Sequence, residues 1–378
     1  MKLKNFNFNQ KVELQPDQIN QINSNLRPFP LTIEIDLTNH CNHRCSFCVW
    51  GEHISTDKSS LVKENLIECM SGMKKLGAKA ITFTGGGEPM IHKNFYEILK
   101  SSNNMGFDCG LITNGSVITE KNAKLLLINL NWLRISMSGG DKDSYLKVQG
   151  KDHFDLVCKN LKIISSIKKK LKSNTKLGLR MLITKENVHT LYNLAEIIKK
   201  IDGVNYLQIA PDHDNDDNGI FWHGDLVKKE KDKSEKILKE KKIDFITSGF
   251  EILNTNNFEK KNTLDIPSKC FAHFYQIAIM ADGNVAFCKN ARFDKNFIIG
   301  NINTNKIEEI WNSKKNQEIE KWVRPNNCGL LCKNIRVNLA MEKIYNSKHK
   351  NNLYKSKSEV KEYTKNYPDD PLDINFIG

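Results

Sequence analysis

Three cysteines fall within eight residues, Cys41-Asn-His-Arg-Cys45-Ser-Phe-Cys48, directly after the apolar run from Leu31 to Leu37. Thiolates are soft ligands that suit zinc and iron–sulfur clusters. A four-iron cluster is ordinarily closed by four Cys, so three on this spacing leave one iron open to another molecule. Zinc sites pair two close Cys with a distant Cys or His pair, which spacings of three and then two residues do not match. A disulfide framework is disfavoured as well. Ten Cys in 378 residues lie far below the density of disulfide scaffolds, and Met1-Lys-Leu-Lys-Asn-Phe-Asn lacks the apolar core of a secretory leader. A second set, Cys270, Cys288, Cys328 and Cys332, brings four thiolates into one region, enough to close a whole cluster or, alternatively, a zinc site. Cys69, Cys109 and Cys158 fall on apolar faces and are expected to be inert core residues.

These ligands need a frame. Strand-like runs at Leu31–Leu37, Ala80–Thr84, Phe107–Thr113, Trp132–Met137, Lys176–Ile183 and Val204–Ile209 alternate with stretches whose apolar residues recur near 3.6, as at Val62, Leu66, Cys69, Met70, Met73 and Leu76. Right-handed crossovers curl such units into a partial barrel, and chemistry then gathers at the carboxyl ends of the strands. The informative residues fall there. The cysteine motif follows the first strand. Gly85-Gly86-Gly87-Glu88-Pro89 follows the second, with glycines that allow close backbone approach. Asn114 ends the third, and Ser136 and Ser138 end the fourth. Arg180 lies inside the fifth, where a lone guanidinium needs an anionic partner. Gln208 to Pro211 closes the sixth. The polar stretch 212–269 opens with Asp212-His-Asp-Asn-Asp-Asp217, a solvated loop or an oxygen-ligand site, and Phe221-Trp-His223 suggests a lid. Tyr275–Met280 and Val285–Cys288, joined through Asp282-Gly283, read as a hairpin.

Cys41-x3-Cys45-x2-Cys48, with Phe47 before the third Cys, resembles the signature of the radical S-adenosylmethionine (SAM) superfamily. The resemblance implies an α/β fold: a partial (β/α)6 TIM-like barrel, then a small α+β module with a β-hairpin. It assigns Cys41, Cys45 and Cys48 to a SAM-binding [4Fe-4S] cluster and places Phe47 beside adenine. Gly85, Gly86, Gly87, Glu88, Pro89, Asn114 and Ser136 fall to SAM; the anionic partner expected for Arg180 is the SAM carboxylate, with a structural ion pair as the alternative. It further implies reductive cleavage of SAM to a 5′-deoxyadenosyl radical that abstracts a hydrogen atom, with a cellular electron donor such as flavodoxin or ferredoxin. The second cysteine set resembles a SPASM or twitch module holding one auxiliary [4Fe-4S] cluster through Cys270, Cys288, Cys328 and Cys332. A full SPASM domain has seven Cys, and relatives often separate the last pair by two residues where this chain has three. The expected layout is an N-terminal extension over 1–30, barrel over 31–211, linker or insertion over 212–269, auxiliary module over 270–333 and tail over 334–378.

A closed cluster near the substrate can accept a second electron, so oxidation of a sugar, aminocyclitol or nucleotide sugar is the expected chemistry. Epimerisation would need a Cys outside both clusters. A peptide-modifying maturase, a non-enzymatic iron–sulfur or zinc protein and an RNA-modifying enzyme are the alternatives. The net charge of +13 comes mostly from Lys interleaved with Asn and Ile; Arg occurs at only seven positions, and base-stacking aromatics are missing from the Lys-rich runs, which argues against nucleic acid. No apolar run is long enough for a membrane span, and a cytoplasmic location suits unpaired thiols.

Overall fold

In Thr32–Ile35 (β1) the side chains of Ile33 and Ile35 are fully buried on one face, while Glu34 points to the other. The same alternation recurs in Ala80–Phe83 (β2), Asp108–Thr113 (β3), Trp132–Ser136 (β4), Lys176–Ile183 (β5) and Tyr206–Pro211 (β6). These six strands pair in parallel and in chain order. Their outer face, with Phe83, Leu111, Leu133, Leu179 and Leu207, is apolar and buried; their inner face carries Glu34, Arg134, Ser136, Arg180, Tyr206 and Gln208. The computed structural model describes residues 8–212, 224–248, 267–324, 332, 334–347, 355–360 and 376.

Two short helices, α1 (Phe8–Glu13) and α2 (Pro16–Asn23), precede β1. Next come α3 (Gly51–Thr56), α4 (Lys63–Lys75), α5 (Phe95–Asn104), α6 (Glu120–Asn129), α7 (Lys142–Gln149), α8 (Phe154–Leu171) and α9 (Leu191–Lys199). Helix α4 buries Leu66, Cys69, Met70 and Met73, the i, i+3, i+4, i+7 stripe that covers the outer face of the sheet. Asp141 caps α7 by accepting from Ser144 N at 2.8 Å, and Gly150 ends the helix in the left-handed region.

The polar stretch after β6 contributes structure that its composition conceals. It forms α10 (Asp225–Glu240) and a seventh parallel strand, β7 (Asp244–Thr247), paired with β6. The core-facing side of α10 is Val227, Glu230, Ser234, Ile237 and Leu238, and two polar residues in that stripe hide its period. Residues 213–217 of the acidic stretch, and Phe221 to His223, lie outside the described residues.

The hairpin joins the barrel's own sheet. β8 (Gln276–Ile279) pairs in parallel with β1, opposite β2, and is followed by antiparallel β9 (Asn284–Ala286) and β10 (Ile298–Asn301). Gly283, at φ 89°, makes the expected turn. Helices α11 (Ile307–Trp311), α12 (Lys314–Trp322) and α13 (Ile335–Asn346) complete the module. Gly72 in α4 lets Ile307 dock directly, since a Cβ there would lie 2.6 Å from its Cγ2. No helix among the described residues is long and apolar enough to cross a membrane. Cys69 and Cys109 are buried as expected; Cys158 is only half-buried, on a side of α8 that packs at the edge of the core.

Candidate active site

The Cys41–Cys48 loop leaves the end of β1 and is clamped from both sides. On one side Thr38 Oγ1 and Ser60 Oγ are 2.6 Å apart, and Asn39 Nδ2 donates to Asp57 Oδ2 at 2.6 Å. On the other, Arg44 N and Ser46 N donate to Gln149 O and Val148 O at the end of α7, at 3.3 and 2.9 Å. Gly150 permits this approach, because a Cβ on it would stand 2.2 Å from Arg44 O. His43 is buried against Tyr145 and shares a 3.0 Å contact with His153. Sequence reasoning missed His43, Gln149 and Gly150, which act only through the tertiary contact.

Cys41, Cys45 and Cys48 are half-buried and free of disulfides. Burial pushes all three thiols up, and at Cys45 the neighbouring Cys48 and Cys41 add to it. Thiols so placed become ligands only when a cation takes the proton's place, as a coordinating metal does. Among the described residues, no three His, Cys, Asp or Glu side chains are grouped to hold a single metal ion. Cluster thiolates each sit on a different iron and so stand further apart than ligands around one zinc. Three free, half-buried thiols on one loop are a soft donor set of the kind a cluster takes.

Beneath this loop lies the glycine run. A Cβ on Gly87 would fall 1.8 Å from His40 O, and one on Gly85 1.8 Å from Asp36 Oδ1. Gly87 N and Glu88 N donate to Thr38 O and His40 O at 2.6 and 2.8 Å, so the glycines are needed first for contact with the cysteine loop. Glu88 is buried and accepts from Thr113 Oγ1 at 2.7 Å, Asn114 N at 2.8 Å and Met90 N at 3.2 Å. Burial nevertheless raises its carboxyl above the usual range. Asn114 is tied in the same way, donating to Asn42 Oδ1 at 2.8 Å and accepting from Ser116. Pro89 is buried at the start of a 3-10 turn, and Phe47 is half-buried in the cysteine loop. Ser136 and Arg180 stand side by side in register on β4 and β5, facing the lumen. Ser138 is buried and receives Leu182 N at 3.1 Å.

The second cysteine set lies across β1. Burial, then Cys288 and Cys332 nearby, push Cys270 up to about 12. Cys328 lies outside the described residues. Asn338 of α13 fixes the turn after Cys270 by accepting from Phe271 N and Ala272 N at 2.7 and 2.8 Å. The turn after Cys288 carries Lys289 and Arg292 into the lumen, where Lys289 Nζ is 3.2 Å from Glu34 Oε1 and Arg292 Nη2 is 2.6 Å from Glu34 Oε2. Burial alone would raise Glu34, but these two cations bring it down to about 2.

Known proteins bear on this geometry. Residues 35–198 match the radical SAM superfamily, and residues 270–334 match the iron–sulfur cluster-binding SPASM domain. Over 183 residues the chain is 28% identical to a probable GTP 3′,8-cyclase of Saccharolobus solfataricus, a match covering 48% of this chain and 56% of that protein. It thus spans about half the length of that relative. A probable GTP 3′,8-cyclase of Sulfurisphaera tokodaii is 27% identical over 271 residues, or 68% of this chain and 80% of that one. In fold, the chain is similar to Streptococcus suis SuiB bound to its precursor peptide SuiA, with TM-score 0.62, 14% identity and coverage of 80% and 69%. It is also similar to anSMEcpe with bound SAM, with TM-score 0.54, 21% identity and coverage of 77% and 83%. SAM and [4Fe-4S] clusters are the cofactors that go with these two domains. Residues 35–198 thus form a radical SAM domain, and residues 270–334 a SPASM domain after it.

Proposed function

We propose that the protein is an enzyme that cleaves SAM reductively and removes a hydrogen atom from a small polar metabolite held inside the barrel, oxidising or rearranging it. The observation that carries this reading is the polar lumen directly below the Cys41–Cys48 loop, lined by Glu34, Arg134, Ser136, Arg180, Tyr206 and Gln208. An apolar lumen would suit packing; charged and hydrogen-bonding groups suit a hydrophilic ligand. The activity named for the Saccharolobus and Sulfurisphaera relatives, which concerns GTP, falls in the same class of small polar substrate.

In this reading Cys41, Cys45 and Cys48 hold the SAM-binding cluster, and Cys270, Cys288, Cys328 and Cys332 hold the auxiliary one. The clusters and SAM supply one-electron chemistry and a strong hydrogen-atom acceptor. The chain's own part is positional. Glu88 and Asn114 lock the ends of β2 and β3 against the cysteine loop. Gly85 to Pro89, Phe47 and Ser136 border the space beside that loop and form the SAM pocket. Arg292 fixes the second cysteine set relative to the first through β1. A flavodoxin- or ferredoxin-like donor would supply the electron.

The test is reductant-dependent formation of 5′-deoxyadenosine by the anaerobically reconstituted protein, beside a Cys45→Ala variant. Formation by the wild type and loss of it in the variant is the expected result. Equal product from both would remove the catalytic assignment.

A further inference from the structure

Charge is matched on one wall of the lumen and unmatched on another. Lys289 and Arg292 are paired with Glu34 and Asp36. Three and four strands further round the sheet, Arg134 of β4 and Arg180 of β5 meet no carboxylate among the described residues. Arg134 Nη1 donates to Gln208 Oε1 at 2.8 Å, but its Nε and that of Arg180 are buried without an acceptor. Burial, then the neighbouring Arg134, lowers the Arg180 guanidinium to about 9. Two adjacent, half-buried guanidiniums whose Nε atoms are shut off from water, with no carboxylate partner among the described residues, repel each other, and a ligand that neutralises both relieves that cost.

The surroundings define where that ligand sits. Arg134 lies two residues before Ser136 on β4, roughly 6–7 Å deeper in the barrel. Below it the Trp132 ring covers Gly110, whose Cβ would meet Trp132 Cε2 at 2.2 Å, and Phe376 packs edge-on to Trp132 at 5.4 Å. The Tyr206 ring lies on Gly178, whose Cβ would meet its Cζ at 2.0 Å, beside both arginines. The charged pair therefore sits above an aromatic floor, with the Arg134 Cζ 5.9 Å from the Trp132 ring centroid. A single carboxylate, such as that of SAM, supplies one negative charge to a site that holds two positive ones. A phosphoryl group supplies about two, and its oxygens match the planar donor fork of Arg.

We propose that Arg134 and Arg180, with Gln208 orienting Arg134, bind a phosphoryl group of the substrate, which makes that substrate a phosphorylated metabolite. This rests on the barrel being the substrate chamber of a radical SAM enzyme, and it moves Arg180 from the SAM carboxylate to the substrate.

The test is calorimetric titration of the full, reconstituted protein in the presence of SAM, with inorganic pyrophosphate, succinate and an acidic hexapeptide as separate probes. Pyrophosphate is expected to bind. Arg134→Gln and Arg180→Gln should each weaken it at least about tenfold, as loss of a charge-assisted hydrogen bond does, with partial rescue by Arg134→Lys and unchanged SAM affinity. In the anion-free protein Arg180→Gln should raise the melting temperature, because it removes one of two adjacent, half-buried like charges that meet no carboxylate among the described residues. The proposal fails if pyrophosphate does not bind, binds the variants equally, or binds more weakly than succinate or the peptide. It fails equally if Arg180→Gln weakens SAM instead, or lowers the melting temperature as loss of a structural ion pair would. Formation of 5′-deoxyadenosine by the wild type is scored separately, so failure of the radical reading is distinguishable from failure of the anion site.

Discussion

Arg292 donates through Nη1 to both oxygens of Asp36, at 2.7 and 2.6 Å, and so joins the turn after Cys288 to the strand that leads into Cys41. The pair is almost fully buried, with side-chain exposures of 3% and 2%. Arg292 also stacks on Trp50, two residues after Cys48, with its Cζ 5.1 Å from the ring centroid. One guanidinium thus touches the surroundings of both cysteine sets.

Truncating Arg292 to Met leaves Asp36 and Glu34 with one cation between them. Breaking a buried pair from one side costs about 3–5 kcal/mol, whereas neutralising all its members costs far less. Arg292→Met is expected to lower the unfolding free energy by that amount. The quadruple variant Glu34→Gln, Asp36→Asn, Lys289→Met, Arg292→Met, which neutralises every member, should recover most of it, as read by chemical denaturation of the metal-free chain.

Acid should act through Glu34. Its pKa is depressed from 4.5 to about 2 in the folded chain, so its contribution is complete above pH 4.5 and disappears as the pH falls through 2. At 1.36 kcal/mol per unit this is about 3 kcal/mol. Glu34→Gln should therefore differ from wild type at pH 7 and converge with it as the pH falls from 4.5 to about 2, measured on the metal-free chain because acid destroys clusters.

Gly87 tests whether the glycine run supports the cysteine loop. Its Cβ would collide with His40 O at 1.8 Å and with Asn39 C at 2.9 Å, both backbone atoms that no rotamer change can move. Gly87→Ala is expected to keep its far-ultraviolet circular dichroism while bound iron falls from about eight per chain to about four, the share of the auxiliary cluster. Undiminished iron would show that the loop tolerates displacement.

Much of this was legible in the sequence because the residues involved obey local rules. Each barrel strand rests on buried apolar residues, alternating most plainly in β4 (Trp132–Ser136), and β5 matches its expected limits of Lys176 and Ile183. The cysteine spacing and Gly-Gly-Glu-Pro stand in short contiguous runs. What stayed hidden depends on contacts far apart in sequence. Asp36 and Arg292 are 256 residues apart, and nothing local marks either as a partner. Arg134 reads as one polar position of an alternating strand, and only the folded sheet shows that it meets no carboxylate among the described residues. Helix α10 was concealed by Glu230 and Ser234 on its buried side, where Glu230 accepts from Tyr192 N at 3.3 Å.

The most direct test of the central claim, that the Cys41–Cys48 loop holds a cluster with a position open to SAM, is electron paramagnetic resonance of the reduced protein with and without SAM. A Cys270→Ala, Cys288→Ala double variant leaves the first cluster as the only reporter. The account predicts a change in its signal when SAM is added. An identical signal with and without saturating SAM would contradict it.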